Sequence, residues 1–301
     1  MRITIAGDIG SGKTTIAREL ARHAAVEMCS TGGIQRQLAA TRGITTLELN
    51  RLAETDASID DQIDGYLKNL PAGNLVVESR MAWRFVPDAR KIFLYVLRHE
   101  AAHRILRANR DDERYRLLDD AVLHISERRK SEVRRFKKYY EVDIDNLRNY
   151  DRVVDTTFAS PQTVVDRILK PDSLKDSPGI WLDPRNLVPT QSPRQLSDEK
   201  VLEIAGSIAK TGFHEGHPIG VLYVDHTFFV VHGHARLAAS MRLGLEYVPS
   251  ALLACEEEPY RAGLTARSFV EEAVTESMVR DWENAMNFRY AHPIWRIPHH
   301  A

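Results

Sequence analysis

The sequence opens with the strand-like Arg2-Ile3-Thr4-Ile5-Ala6 and runs directly into Gly7-Asp8-Ile9-Gly10-Ser11-Gly12-Lys13-Thr14-Thr15. Nothing else in the chain constrains the fold as much. Glycines in such a loop let backbone N–H groups curl around a phosphate, and a helix that starts where the loop ends adds its partial positive charge at the same point. Lys13 is then placed to reach the β- and γ-phosphates, and the Thr14 hydroxyl to complete a Mg²⁺ shell. The whole stretch from Gly7 to Thr15 is the expected nucleotide-binding segment, with ATP and Mg²⁺ as its occupants. Ile16, Leu20 and Ala21 fall at helical spacing and predict a helix over 12–24. Strand, loop and helix thus occur in the order that this chemistry requires.

Short apolar runs at 2–6, 75–78, 91–96 and 152–155 alternate with long amphipathic stretches. That rhythm predicts an α/β fold of the P-loop NTPase type, a parallel sheet with flanking helices. A chain of 301 residues leads us to expect two domains. Pro171-Asp172-Ser173-Leu174-Lys175-Asp176-Ser177-Pro178-Gly179 has linker composition, so we expect a first domain over 1–172 and a smaller α+β domain over 180–301. In the second half, 198–211 reads as a helix, 219–231 as β-rich, 237–243 as a helix, and 268–288 as amphipathic. The formal charge of −1 conceals an asymmetry: residues 1–170 hold 29 basic and 25 acidic side chains, and residues 171–301 hold 12 and 17. A polyanion should therefore prefer the first half. Cys29 and Cys255 alone exclude a disulfide framework and a structural zinc site. No apolar run approaches the ~18 residues of a membrane span and no export signal opens the chain, so a cytoplasmic protein without membrane contact is expected.

Three further blocks carry a family resemblance. Ser30-Thr31-Gly32-Gly33-Ile34-Gln35-Arg36, Leu75-Val76-Val77-Glu78-Ser79-Arg80, and the run from Ser131-Glu132 through Arg135-Phe136, Tyr139-Tyr140 and Asp143 to Tyr150-Asp151 resemble nucleoside monophosphate kinases, the archaeal-type cytidylate kinases in particular. The resemblance implies that Thr31, Arg36 and Arg80 bind the acceptor. Gly33 and Gln35 stand where that family has an acidic or small residue and an aromatic one, and Ser79 stands where it has glycine. One stacking surface for a free base is missing, which argues for an acceptor of different size or chemistry.

Asp8 and Glu78 both sit at the carboxyl ends of predicted strands, where open α/β sheets bind ligands. A hydroxyl acceptor needs such a carboxylate as base, whereas a phosphate acceptor needs only positioning. Glu78 suits indirect Mg²⁺ coordination equally, and Asp8 suits shaping the loop. Arg104, Arg107 and Arg110 recur at three-residue spacing, while Arg128, Arg129, Lys130, Arg134, Arg135, Lys137 and Lys138 crowd one segment. Such clusters suit a lid that closes on transferring phosphates, or a solvated helix face. His99-Glu100-Ala101-Ala102-His103 matches a zinc motif, but the positions that would supply a third ligand hold Leu106 and Asn109, so solvated histidines are expected.

Residues 180–250 resemble the ParB/sulfiredoxin-like fold through Leu187-Val188-Pro189, Val230-Val231-His232-Gly233-His234-Ala235-Arg236 and Val248-Pro249. The resemblance implies a phosphate site at Gly233, His234 and Arg236. His232 replaces the acidic residue usual before that glycine, and a packing module without chemistry stays open. The pairing of the two domains resembles the bacteriophage 5-hydroxymethyluracil DNA kinases. That implies transfer of the ATP γ-phosphate to the hydroxymethyl group of a base in DNA, in the host cytoplasm, with basic lid residues meeting the strand. Two alternatives stay open: a free pyrimidine monophosphate kinase with a ParB-like regulatory part, and a nucleotide-switched DNA-binding partition or regulatory protein.

Overall fold

The structure, a computed structural model, describes residues 1–108, 117–171 and 179–290, and the chain divides after Lys170 into two compact units. Most of the expected linker, residues 172–178, lies outside the described residues. In the first unit β1 (Arg2–Gly7), β2 (Glu27–Ser30), β3 (Leu75–Glu78), β4 (Arg90–Tyr95) and β5 (Arg152–Asp155) run parallel in the order β2-β3-β1-β4-β5. Its helices are α1 (Lys13–Ala24), α2 (Thr31–Thr41), α3 (Thr46–Leu52), α4 (Ser58–Lys68), α5 (Ala82–Phe85), α6 (Arg98–Ala108), α7 (Leu118–Tyr140) and α8 (Pro161–Leu169).

Leu75, Val76 and Val77 are all buried because helices cover both faces of the sheet, which is why β3 reads as an unbroken apolar run. β2 carries Glu27-Met28-Cys29-Ser30 instead, a sequence only an edge strand tolerates, and it escapes a reading that looks for apolar runs. α1 buries Ile16, Ala17, Leu20 and Ala21 and starts at Gly12, whose φ of 79° suits glycine. Register pairs Glu78 with Ile5 on one side and Ser30 on the other. The carboxyl ends of β1, β2 and β3 therefore meet where the connections leaving β1 and β3 run to opposite sides, the usual ligand crevice of an open sheet. α7 is unusual: its buried stripe of Ala121, Ile125 and Phe136 also contains Glu132 and Arg135. Charges so placed must be paired.

The second unit is built on β6 (Gly179–Leu182), β7 (Leu187–Pro189), β8 (Ile219–Val224), β9 (Thr227–His232) and β10 (Val248–Cys255), in the order β6-β10-β8-β9-β7. β8 and β9 form a hairpin whose turn residues Asp225 and His226 both have positive φ, as a two-residue turn matching strand twist demands. β11 (Pro259–Arg261) and β12 (Leu264–Thr265) make a small second sheet, and α9 (Asp198–Thr211), α10 (His234–Arg242), α11 (Ala266–Ala273) and α12 (Glu276–Met286) complete the unit. Two expectations are corrected. The helix expected over 237–243 starts at His234, since Gly233 (φ 93°) lets the chain turn into it three residues sooner. The amphipathic stretch 268–288 is broken at Val274, and Thr275 caps the second helix by accepting a hydrogen bond from the Met278 amide. Among the described residues, no helix is long and apolar enough to cross a membrane.

Candidate active site

Gly7 ends β1 beside Leu94 of β4, so close that a Cβ there would stand 2.4 Å from the Leu94 carbonyl oxygen. The loop beyond it is closed by the Ser11 hydroxyl, which donates to the Asp8 carbonyl at 2.8 Å. The Lys13 ammonium donates to the carbonyls of Asp8 at 2.5 Å and Gly7 at 3.1 Å, so it lies across the loop at the floor of a cleft of about 720 Å³. Ile9, Gly10, Gly12, Thr14 and Thr15 line the cleft on the loop side; Thr31, Gln35, Arg36, Asn50, Glu78 and Arg80 line it elsewhere. The size is that of a small-molecule site. Arg104 also lines it and donates to the carbonyls of Gly10 at 3.3 Å, Thr156 at 2.5 Å and Thr157 at 2.9 Å. That arginine ties the phosphate loop to the chain leaving β5.

Burial, assisted by the nearby Arg80 cation, brings the Lys13 ammonium down to about 8. Bound triphosphate supplies the opposite charge and restores the proton. Nucleotide affinity should therefore be flat below pH 8 and weaken above it, approaching tenfold per pH unit, with a proton taken up on binding. Calorimetric titration of Mg²⁺-nucleotide in buffers of differing ionisation enthalpy checks this; proton-neutral binding at pH 9 contradicts it.

The two carboxylates proposed from sequence part company. Asp8 does not line the cleft: it is buried, and its Oδ2 accepts a hydrogen bond from the Val96 amide at 3.0 Å. Burial pushes it up to about 7 against the opposing pull of Arg129, that amide and Lys13. It shapes the loop. Glu78 does line the cleft, and is the only carboxylate among the described residues to do so. Its Oε2 accepts from the Ser30 hydroxyl at 2.6 Å and the Thr14 hydroxyl at 3.2 Å, while Oε1 has no protein partner among the described residues. These hard oxygen donors fit Mg²⁺: Thr14 would hold it beside Glu78, and the ion would supply positive charge to the phosphates.

The arginines expected in a lid separate likewise. Arg128 lines the cleft and pairs with Glu132 at 3.4 Å. Arg107 and Arg134 are exposed and do not line it, because at their helical phase they face solvent. Arg110 lies outside the described residues. Glu132, which the sequence shows as part of a family-like block without assigning it a role, is a carboxylate inside a basic run, one turn from Arg128 and from Arg135, on the apolar stripe of its helix. In the zinc-like motif, Glu100 is taken by Arg104 at 3.1 Å, and among the described residues no group of three His, Cys, Asp or Glu could hold a metal.

Of the three residues expected to form a second-unit phosphate site, Gly233 and Arg236 lie side by side and His234 is turned inward. His234 is buried near Trp282, with ring centroids 6.4 Å apart, and its Nε2 accepts from the Thr190 amide at 3.2 Å. Burial brings it down to about 4, so it is a neutral core histidine. Arg236 donates to the carbonyls of His217 and Pro218, the latter at 2.9 Å, closing a neighbouring loop. The same guanidinium lies against Gly233, where a Cβ would stand 3.0 Å from an Arg236 terminal nitrogen, and the positive φ of that glycine starts α10.

Residues 3–137 match the model of the AAA domain, and residues 180–266 that of the ParB N-terminal domain. A cytidylate kinase of Pyrobaculum calidifontis is 40% identical over 161 residues, 52% of this chain and 85% of that protein. Another, from Thermoplasma volcanium, is 37% identical over 175 residues, 56% of this chain and 90% of that protein. The chain belongs to the cytidylate kinase family. It is an ATP-dependent phosphotransferase, and this kinase carries after its phosphate-loop domain a ParB N-terminal domain that accounts for much of the remaining length.

Proposed function

We propose that this kinase transfers the γ-phosphate of ATP to the hydroxymethyl group of 5-hydroxymethyluracil in DNA. The observation that carries the reading is the acceptor side of the cleft, where Gly32, Gln35, Arg36, Asn50, Ser79 and Arg80 contribute and no aromatic does among the described residues. A Cβ at Gly33 would meet nothing within 4 Å. A free base would find no ring to stack on, whereas a base attached to a strand is held through the rest of the polymer. The unshared Oε1 of Glu78 suits an alcohol, which must lose a proton as it attacks. A ParB N-terminal domain offers a second surface for a polymer that a metabolite kinase has no evident need for.

A second reading, a free pyrimidine monophosphate kinase, is favoured by the 40% identity to a cytidylate kinase. One assay separates them. Offered γ-labelled ATP with CMP, dCMP, ordinary duplex DNA or hydroxymethyluracil DNA, the protein should label only the last. Label confined to CMP or dCMP transfers the conclusion to the second reading.

A further inference from the structure

Glu132 lies midway along α7, almost completely buried. Its Oε2 stands 2.7 Å from Arg80 Nε and 4.0 Å from an Arg129 terminal nitrogen, and its Oε1 stands 3.4 Å from Arg128 Nε. Burial pushes the carboxyl up, but Arg80, Arg128, Arg129 and Arg135 together outweigh it and hold the group down at about 2. Glu132 is therefore an anion throughout the working pH range. The four cations are not equivalent. Arg129 turns to Asp145 at 2.5 Å and Arg135 to Asp60 at 3.4 Å, away from the cleft, while Arg80 and Arg128 line it.

Two guanidinium groups side by side repel one another unless an anion sits between them. Buried out of water, that anion acts strongly, and a group that fixes two binding side chains from behind spares the ligand the cost of ordering them. Glu132 Oε2 has no aligned hydrogen bond, so charge more than bond direction holds the arrangement. A neutral side chain of the same shape would not keep it.

We infer that Glu132 is a positioning residue for the transfer: it touches neither nucleotide nor acceptor, and it holds Arg80 and Arg128 as a preformed pair for an anionic oxygen of the acceptor, either a monophosphate or the phosphodiester of a strand. Guanidinium forks suit both sources, since each presents paired phosphate oxygens. The inference rests on the kinase having such an acceptor, as both readings of its function have.

Glu132→Gln is compared with wild type on hydroxymethyluracil oligonucleotide and on CMP, whichever wild type phosphorylates. The acceptor KM should rise at least about tenfold while the KM for ATP moves less than about twofold. Arg128→Met should raise the acceptor KM similarly, and the Glu132→Gln/Arg128→Met double variant should be no worse than the poorer single one, because both changes act through one pair. The double variant removes a cation together with the anion, so it keeps the comparison available if Glu132→Gln alone does not fold. Acceptor and ATP KM rising together, or a double effect equal to the product of the singles, overturns the inference. If wild type phosphorylates neither acceptor, the proposed function fails by itself. Calorimetric titration with inorganic phosphate, on protein loaded with Mg²⁺ and a non-hydrolysable ATP analogue, then decides: a tenfold weaker constant in the variant supports the role of Glu132, and an unchanged one refutes it.

Discussion

Lys13→Ala lowers kcat about 10³-fold and leaves the fold standing. The ammonium is held against the carbonyls of Gly7 and Asp8, where on the proposed reading it would face the β- and γ-phosphates as charge shifts to the leaving diphosphate. Deleting one preorganised donor at such a position costs on the order of 10²–10³ in rate, and here the donor is also a full charge, which puts the loss at the upper end. Stability should not fall with it. Burial lowers the affinity of this amine for its proton, which means that at neutral pH the fold disfavours the charged form, and an alanine removes that penalty. The two consequences separate chemistry from structure. Label transfer at saturating ATP and acceptor measures the first, and a thermal melt of the nucleotide-free protein measures the second. Undiminished turnover by the variant removes the catalytic centre from the phosphate loop, and a collapsed melt makes lost activity uninformative.

The phosphate loop was legible in the sequence because its chemistry is local: strand, glycines, lysine and helix start lie within about two dozen residues, so no distant contact is needed to place them. The choice between Asp8 and Glu78 was not. Both follow a predicted strand, and only register tells them apart. Glu78 comes to lie beside Ser30 because β3 pairs with β2 at that residue, and β2 has no apolar run by which to be recognised. Asp8 is turned to the Val96 amide, an interaction with the end of a strand far along the chain.

The basic cluster was legible only in part, for a different reason. Counting charges ignores helical phase, and phase separates the buried Arg135 and cleft-lining Arg128 from the exposed Arg134. Plotting the run on a helix would have exposed Glu132 as well, since Ala121, Ile125 and Phe136 share its face. His234 was out of reach by any such device. Its fate depends on Thr190 and Trp282, which no periodicity connects to it, and on Gly233 starting the helix early enough to turn it inward.

Glu78→Gln should lower kcat on a hydroxymethyl acceptor by about 10²–10³-fold, within the range that positioned proton acceptors contribute. The side chain keeps its size, so the cleft keeps its shape. What changes is acceptance: the carboxylate takes two hydroxyls on Oε2 and leaves Oε1 unshared among the described residues, whereas an amide has a single acceptor oxygen, and an NH₂ placed at Oε2 would meet the Ser30 and Thr14 hydroxyls donor to donor unless they turn away. An alcohol then attacks with its proton still attached. A phosphate acceptor is already a nucleophile and needs no such help, so on CMP, if it is a substrate, the same variant should lose far less. The ratio of the two losses, measured at two Mg²⁺ concentrations about tenfold apart, therefore reports what Glu78 does. A loss confined to the alcohol and insensitive to the ion assigns it proton removal. An equal loss on every acceptor that extra Mg²⁺ repairs makes Glu78 a partner of the ion held at Thr14, and takes away the chemical argument for an alcohol as the acceptor.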